Sequence, residues 1–431
     1  MNEWQTEPLD ACLEALLDYR GKSPPKSPKG IPVLSAKVVK TTGLLRPIEQ
    51  KIATDYYPQW MVRGLPRVGD VVMTTEAPMG EVIQLDSETV QYALGQRIVC
   101  MRGKEKKLDN TFLRYLLTSP SQQAILASYA TGTTVLGISQ KALRSVPISY
   151  PNFSEQRRIG ELLGALDDKI ELNRRMNETL EAMARAIFKD WFVDFGPTRA
   201  KMEGRAPYLA AEIWSLFPER LDEDRKPEGW HSHSLSMLAT QHTASVSPSN
   251  TPDEVFEHFS LPAYDAGRKP SQDRGETIKS NKTLVPHGAI LLSKLNPETE
   301  RVWLPEPADG KTQICSTEFL VFTPQAGSNR PLLFGLFTEP SFRTMLHSMV
   351  TGTSKSHQRI SPPALLGRHV LIGANPIFAL YAECVGLLLD RVLANRAESH
   401  TLAATRDLLL PKLMSGEVRV KDAENLIGEA T

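Results

Sequence analysis

The chain has 431 residues, carries 50 Lys and Arg against 50 Asp and Glu, and is 41% hydrophobic and 23% charged. That profile fits a folded protein of two or three domains and excludes both a disordered chain and a uniformly basic, histone-like binder. The neutrality is a sum of unequal parts: residues 1 to 150 hold 18 basic against 14 acidic residues, 151 to 225 hold 12 against 15, and 226 to 431 hold 20 against 21. Cys12, Cys100, Cys315 and Cys384 form no CxxC pair, so neither a zinc site nor a disulfide framework is suggested. No apolar run reaches the roughly 20 residues of a membrane span, and the first ten residues, MNEWQTEPLD, are acidic rather than signal-like, so a cytoplasmic location with no membrane contact is expected.

Residues 1 to 150 read as a mixed α and β domain. Short apolar runs at Asp70 to Thr74 and Arg97 to Met101 are broken by Pro, Gly and Asn, as strands joined by turns would be, and Thr111 to Ser128 is helical in pattern. A long helix follows over 151–195, opened by Asn152 or Ser154 as N-cap; from Glu155 to Phe192 it would run about 57 Å. Residues 196–229, rich in Pro, Gly and charge, read as a connector with a short helix near Ala211 to Leu216. Residues 230–376 repeat the mixed pattern, with strands at Ala289 to Ser293 and Glu318 to Phe322 and a helix at Pro331 to Met349. Residues 377–417 form a second long helix behind an Asn375-Pro376 cap, and 418–431 form a tail.

This order is a duplication. Thr131-Gly132-Thr133 followed by Ile138-Ser139 recurs as Thr351-Gly352-Thr353 followed by Ile360-Ser361, at offsets of 220 and 222. Gly69 to Met73 aligns with Gly288 to Leu292 at 219, and Asp168 to Arg174 with Asp390 to Arg396 at 222. One match could be chance, but several in the same order mark two diverged copies of a module of about 220 residues.

The two long helices share a seam. In the second, Tyr381, Val385, Leu388, Val392, Asn395, Ser399, Leu402, Arg406, Leu409 and Leu413 alternate spacings of 4 and 3. Their counterparts in the first are Ile159, Leu163, Leu166, Ile170, Asn173, Asn177, Leu180, Ala184, Ile187 and Trp191. The mean spacing of 3.5 is that of a coiled coil, and Asn173 and Asn395 fall at the same position, where facing amides would fix register. The alternative is two independent amphipathic helices.

No catalytic motif is present: the chain has no GxxxxGK phosphate loop, HExxH helix or GxSxG elbow. Asn375-Pro376-Ile377-Phe378 lacks the second Pro of the amino-methyltransferase motif, His231 and His233 have no companion metal ligands, and the Pro252-Asp253 and Asp309-Gly310-Lys311 fragments are poorly spaced for a nuclease. Binding residues are easier to nominate. Arg20, Lys22, Lys26 and Lys29 lie in a proline-stiffened basic loop, and Arg102, Lys104 and Lys106 in another. Lys141 and Arg144 follow the first TGT loop, and Lys355 and Arg359 follow the second. Such cations neutralise phosphates, and Arg reads guanine edges. Thr131, Thr133, Ser139, Thr351, Thr353 and Ser361 supply small donors around Gly132 and Gly352, which permit close backbone approach. A structural turn explains the TGT loops equally well.

Taken together, Tyr19 to Pro25, the TGT-to-IS stretch, Ser154-Glu155-Gln156-Arg157-Arg158-Ile159, Asp190 to Phe195, Arg199 to Gly204 and Arg406 to Gly416 resemble the DNA specificity subunit of type I restriction-modification enzymes along essentially the whole chain. The resemblance implies an α+β fold in which two target recognition domains, each reading half of a split site in double-stranded DNA, are joined by two long antiparallel helices acting as a ruler. It implies docking of two modification subunits, which bring S-adenosylmethionine, and of restriction subunits; this chain would bind no cofactor and catalyse nothing. The second copy departs from the first, with Ala244 to Val246 near the place of Arg20 to Lys22 and with Pro363 and Leu366 at the places of Lys141 and Arg144. A coiled-coil scaffold whose domains bind proteins, and a methyltransferase or nuclease in its own right, are the other readings of the same residues.

Overall fold

The computed structural model describes residues 4–19, 21, 23–132, 135–307, 310–351, 358–373 and 375–430. The chain forms two compact units, Met1–Leu172 with Glu398–Thr431, and Asn173–Ala397. Their boundary crosses both long helices, so each unit holds half of each helix and not the whole of one.

In the first unit the central element is a four-stranded antiparallel sheet in the order Leu13–Asp18, Ile98–Gly103, Val71–Thr75, Met79–Gln84. All five residues of Val71–Thr75 are buried because both faces of the sheet are covered. Side chains alternate across a strand: Val71, Met73 and Val99 pack on Phe112, Leu116, Ile159 and Leu163, while Val72, Ile83 and Cys100 pack on Val33, Leu34, Ile52 and Leu94 on the other side. The second face is capped by a small sheet of Lys51–Ile52, Ile31–Leu34 and Ala93–Leu94, the last pair parallel.

The second unit repeats the first layer. Its four-stranded sheet has the order Ala239–His242, Phe319–Pro324, Ile290–Ser293, Val302–Trp303, again antiparallel. Ile290, Leu292, Leu320 and Phe322 face the helices, and Leu291, Phe319 and Val321 face the other way, onto Phe259, Tyr264 and Trp303. The short pairs Gln5–Pro8 with Pro147–Tyr150 and His231–Ser234 with His369–Ile372 also correspond. The second layer does not: here it is a five-stranded sheet in the order Ser245–Val246, Lys282–Leu284, Gln313–Cys315, Val255–Phe259, Ser271–Arg274.

Each helical stretch expected beside a sheet is in fact two helices: Asn110–Thr118 and Pro120–Ser128 in one unit, Arg330–Thr338 and Pro340–Ser348 in the other. Pro120 and Pro340 cause the break, since proline disfavours helical backbone in the residue before it. The freed helix ends are capped, by Asp109 and Ser119 in the first unit and by Asn329 and Glu339 in the second. The connector holds a helix at Gly196–Met202, with Thr198 and Ala200 fully buried, besides the short helix Ala211–Trp214.

The long helices span Phe153–Phe192 and Asn375–Ser415. Asn152 caps the first through its Oδ1, which accepts from the Glu155 N–H at 3.0 Å. Within each unit the two helix segments run antiparallel. In the first unit Lys169 meets Glu398 at 3.4 Å, Asp167 meets Arg406 at 2.6 Å, and Ile159 and Leu163 share a core with Leu409 and Leu413. In the second, Asn173 Nδ2 donates to the Asn395 carbonyl at 3.4 Å and Asn395 Nδ2 to Asn177 Oδ1 at 2.8 Å. The shared amide position is thus a three-residue cluster. Leu166, Ala184, Trp191, Tyr381, Val385, Val392 and Leu402 are buried. Ile170, Leu180, Ile187 and Leu388 are half-buried, while the neighbours Phe188 and Leu389 are buried in place of the last two. Such one-residue drift is what a helix of 3.6 residues per turn shows against a 3.5-residue repeat.

Candidate nucleic-acid interface

At the TGT segment of the first unit Thr131 pairs with Gly137: Thr131 N–H donates to Gly137 O at 2.8 Å and Gly137 N–H returns to Thr131 O at 2.9 Å. Gly132 has φ +110°, and a Cβ there would lie 2.3 Å from the Val135 carbonyl oxygen, so the turn itself demands glycine. Gly137 bridges to Glu76, which ties this pairing to the central sheet. The second unit builds the same pairing from Val350–Thr351 and Arg359–Ile360, with Leu295 bridging to Arg359. Thr131 and Gly132 are exposed. Ser139 is the N-cap of Gln140–Ser145, its Oγ accepting from the Ala142 N–H at 3.1 Å. Ser361 occupies the same place before Pro362–Leu366 without a side-chain cap bond.

The nominated cations divide into those committed inside the chain and those directed outward. Arg102 is committed: Nε and Nη2 donate to the two oxygens of the buried Asp70 at 2.8 and 2.7 Å, and only 11% of its side chain is exposed. Asp70 holds the guanidinium further above its ordinary range. Burial, followed by the Asp70 charge, pushes the adjacent Cys100 thiol well up. Arg144 is bound to Asp10, and Arg359 to both oxygens of Glu318 at 2.9 and 3.1 Å. In each case the carboxylate comes from a segment remote in sequence, so a guanidinium that reads as free charge is paired across the fold; Arg102 is buried, while Arg144 and Arg359 keep 38% and 41% of their side chains exposed. Lys104 Nζ donates to the Ala11 carbonyl at 2.9 Å. Lys26, Lys29, Lys106 and Lys141 are exposed. Arg20, Lys22, Thr133, Gly352, Thr353 and Lys355, with the side chain of Thr351, lie outside the described residues.

What motif reading missed is a charge contrast between the second layers. In the first unit, residues 19–70, which link the first two strands of the central sheet, hold ten Lys and Arg against Glu49, Asp55 and Asp70, a net of +7. The matching stretch of the second unit, residues 243–289, holds five against six, a net of −1. Counting charge between the duplicated landmarks instead of per domain would have found it. In the basic stretch Lys26, Lys37, Arg46 and Lys51 line one open recess of about 580 Å³, with Glu49 as its acid. Lys37 and Glu49 are both about 80% exposed at 3.5 Å, too hydrated to neutralise each other firmly. Also unforeseen is the loop 61–69, where Val62, Leu65 and Val68 are 74%, 59% and 63% exposed and interleaved with Arg63 and Arg67.

The long helices are braced differently in the two units, by frame residues alone in the first and by a second-layer residue as well in the second. In the first unit Asp167 of the long helix accepts from Arg114 at 2.6 Å, from the Tyr115 hydroxyl at 2.7 Å and from Arg406 at 2.6 Å, binding the frame helix to both long helices. In the second, Glu181 accepts from Arg396 at 2.7 Å and from Arg268 at 2.9 Å, and Arg268 belongs to the second layer. Burial lowers the Arg396 guanidinium and brings that of Arg330 down to about 10. Among the described residues no group of three or more His, Cys, Asp or Glu converges as a cation site, and no helix is long and apolar enough to cross a membrane.

A family model described as the type I restriction modification DNA specificity domain matches residues 20–182. The curated relatives include the type I restriction enzyme MjaIX specificity subunit of Methanocaldococcus jannaschii, 23% identical over 87% of this chain and 83% of the relative. The HindI specificity subunit of Haemophilus influenzae is also 23% identical, over 81% of this chain and 86% of its own length. The chain is similar to type I specificity subunits over most of its length. A crystal structure of the type I restriction-modification S subunit from M. genitalium shares the fold, with a TM-score of 0.56 at 16% identity over 95% of this chain and 96% of that one. The family match begins within the basic stretch and ends inside the first long helix, so it covers three of the four central strands, all but Leu13–Asp18, with the second layer and the TGT segment of the first unit. The duplicated topology supplies the equivalent elements of the second.

Proposed function

We propose that this chain is the non-catalytic, sequence-specific DNA-binding subunit of a cytoplasmic type I restriction-modification complex, and that each unit reads one half of a bipartite duplex site with its second layer. The carrying observation is one frame used twice under two differently built and differently charged second layers. A fixed frame with a variable reader is what two unlike half-sites require, because specificity resides in the side chains that reach base edges and not in the phosphate contacts that position them. The paired long helices set the unread spacer and dock two modification subunits; S-adenosylmethionine binds there, and restriction subunits join the same assembly. With only one strongly basic reader, the isolated chain binds duplex weakly at physiological salt, and its partners supply further phosphate contacts.

Co-expression with the host's modification subunit, followed by mapping of methylated adenines, tests this reading. The expected product is a motif of two unlike half-sites around a fixed, unread spacer. A continuous motif, or S-adenosylmethionine binding by the isolated chain, would contradict it.

A further inference from the structure

The loop 61–69 joins three observations. It exposes three large aliphatic side chains within seven residues, Val62, Leu65 and Val68, a local concentration of the kind found at interaction sites. It is nevertheless held firmly. The buried Tyr19 hydroxyl accepts from the Arg63 N–H at 2.9 Å and donates to the Gly64 carbonyl at 2.8 Å, Pro66 is buried, and the Arg67 N–H donates to Asp70 Oδ2 at 2.8 Å. Arg102, bound to the same carboxylate, also donates to the Leu65 carbonyl at 3.4 Å. The aliphatic groups are therefore presented on a rigid support. The loop belongs to the +7 stretch, and its Leu65 and Pro66 share a recess with Gly30, next to the exposed Lys29. The second unit does not repeat that ion pair, since Ala289 and Thr323 stand where Asp70 and Arg102 do.

We infer that the loop 61–69 is the base-reading element of the first unit, with Val62, Leu65 and Val68 packing against apolar base edges such as thymine methyl groups; Arg67, paired with Glu14 at 3.1 Å but 66% exposed, and Arg63, whose guanidinium also donates to the Asp18 carbonyl, meet the flanking backbone or guanine edges through their remaining N–H groups. This rests on the proposed DNA-reading function and names the part that performs it. Charge selects the occupant: an apolar strip inside a strongly cationic segment complements a duplex groove, whose methyl groups lie between phosphate rows.

The test is the full chain carrying Val62→Ser, Leu65→Ser and Val68→Ser, together with each single substitution, co-expressed with the modification subunit. These side chains are solvated, so thermal unfolding should match the parent. The inference expects one half-site to become degenerate, with discrimination at one or more of its base pairs falling about tenfold or more, while the other half-site stays intact. An unchanged motif in both halves overturns it. Failure of the modification subunit to co-purify with the triple variant in the absence of DNA also overturns it, by showing that the strip docks protein. If the parent chain gives no bipartite motif, the functional reading itself falls and takes the inference with it.

Discussion

The two units share a frame and differ in what the frame carries. Both have a four-stranded sheet of the same order, a proline-broken helix pair, a short antiparallel pairing beside the TGT segment and a half-share of two long helices. One then adds a small sheet on a stretch of net +7, the other a five-stranded sheet on a stretch of net −1. The frame is preserved because its residues are buried on both faces, where a change of volume is felt throughout the packing. The second layer is free to change because it rests on only one of those faces. The lesson is a division of labour between residues that hold and residues that read, made visible by finding the same holder twice.

The largest expected effect separates the two readers by charge. Replacing Lys26, Lys29 and Lys37 with Ala should weaken duplex binding by the assembled methyltransferase roughly a hundredfold at low salt and flatten its salt dependence by up to about 3 in slope, near 0.9 for each phosphate no longer neutralised. Replacing Lys269 and Lys279 in the second unit should change the slope by less than about 1, as expected where acids alternate with bases. Equal slopes for the two variants would erase the contrast.

The anchors give a smaller effect with a sharper signature. Asp167→Asn removes the shared acceptor of Arg114 and Arg406 and should cost about 2 kcal/mol in denaturant unfolding, below the usual range for a broken buried pair because the site is partly hydrated. Glu181→Gln should cost a similar amount, but Arg268 ties the second layer to that carboxylate, so it should also blur one methylated half-site. A blurred half-site with Asp167→Asn instead would reverse the assignment. The smallest contrast lies just after these pairings: Ser139→Ala should cost about 1 kcal/mol because its cap is removed, and Ser361→Ala close to none, since Ser361 makes no side-chain cap bond.

The parts legible in the sequence were those written in local spacing. The 3.5-residue seam, the Asn positions and the TGT repeats survive divergence because each depends on neighbours a few residues away. The second layers left no such trace. Ala93–Leu94 is a strand only because it pairs in parallel with Val33–Leu34, some sixty residues earlier, and segments of two residues carry no periodicity. The same distance hides ion pairs: Arg102 reads as part of a basic loop, and the fold brings Asp70 beneath it. Arg144 and Arg359 are further instances, paired with Asp10 and Glu318. Conversely, Val62, Leu65 and Val68 look like a fragment of core until the loop is seen to hold them in solvent.

The division between holding and reading is tested most directly by removing one heptad, about 10 Å, from each long helix and mapping the methylated site. Two unchanged half-sites are expected, with a spacer shortened by roughly three base pairs, at 3.4 Å per step along the duplex. An unchanged spacer, or a change in the bases of either half-site, would contradict it.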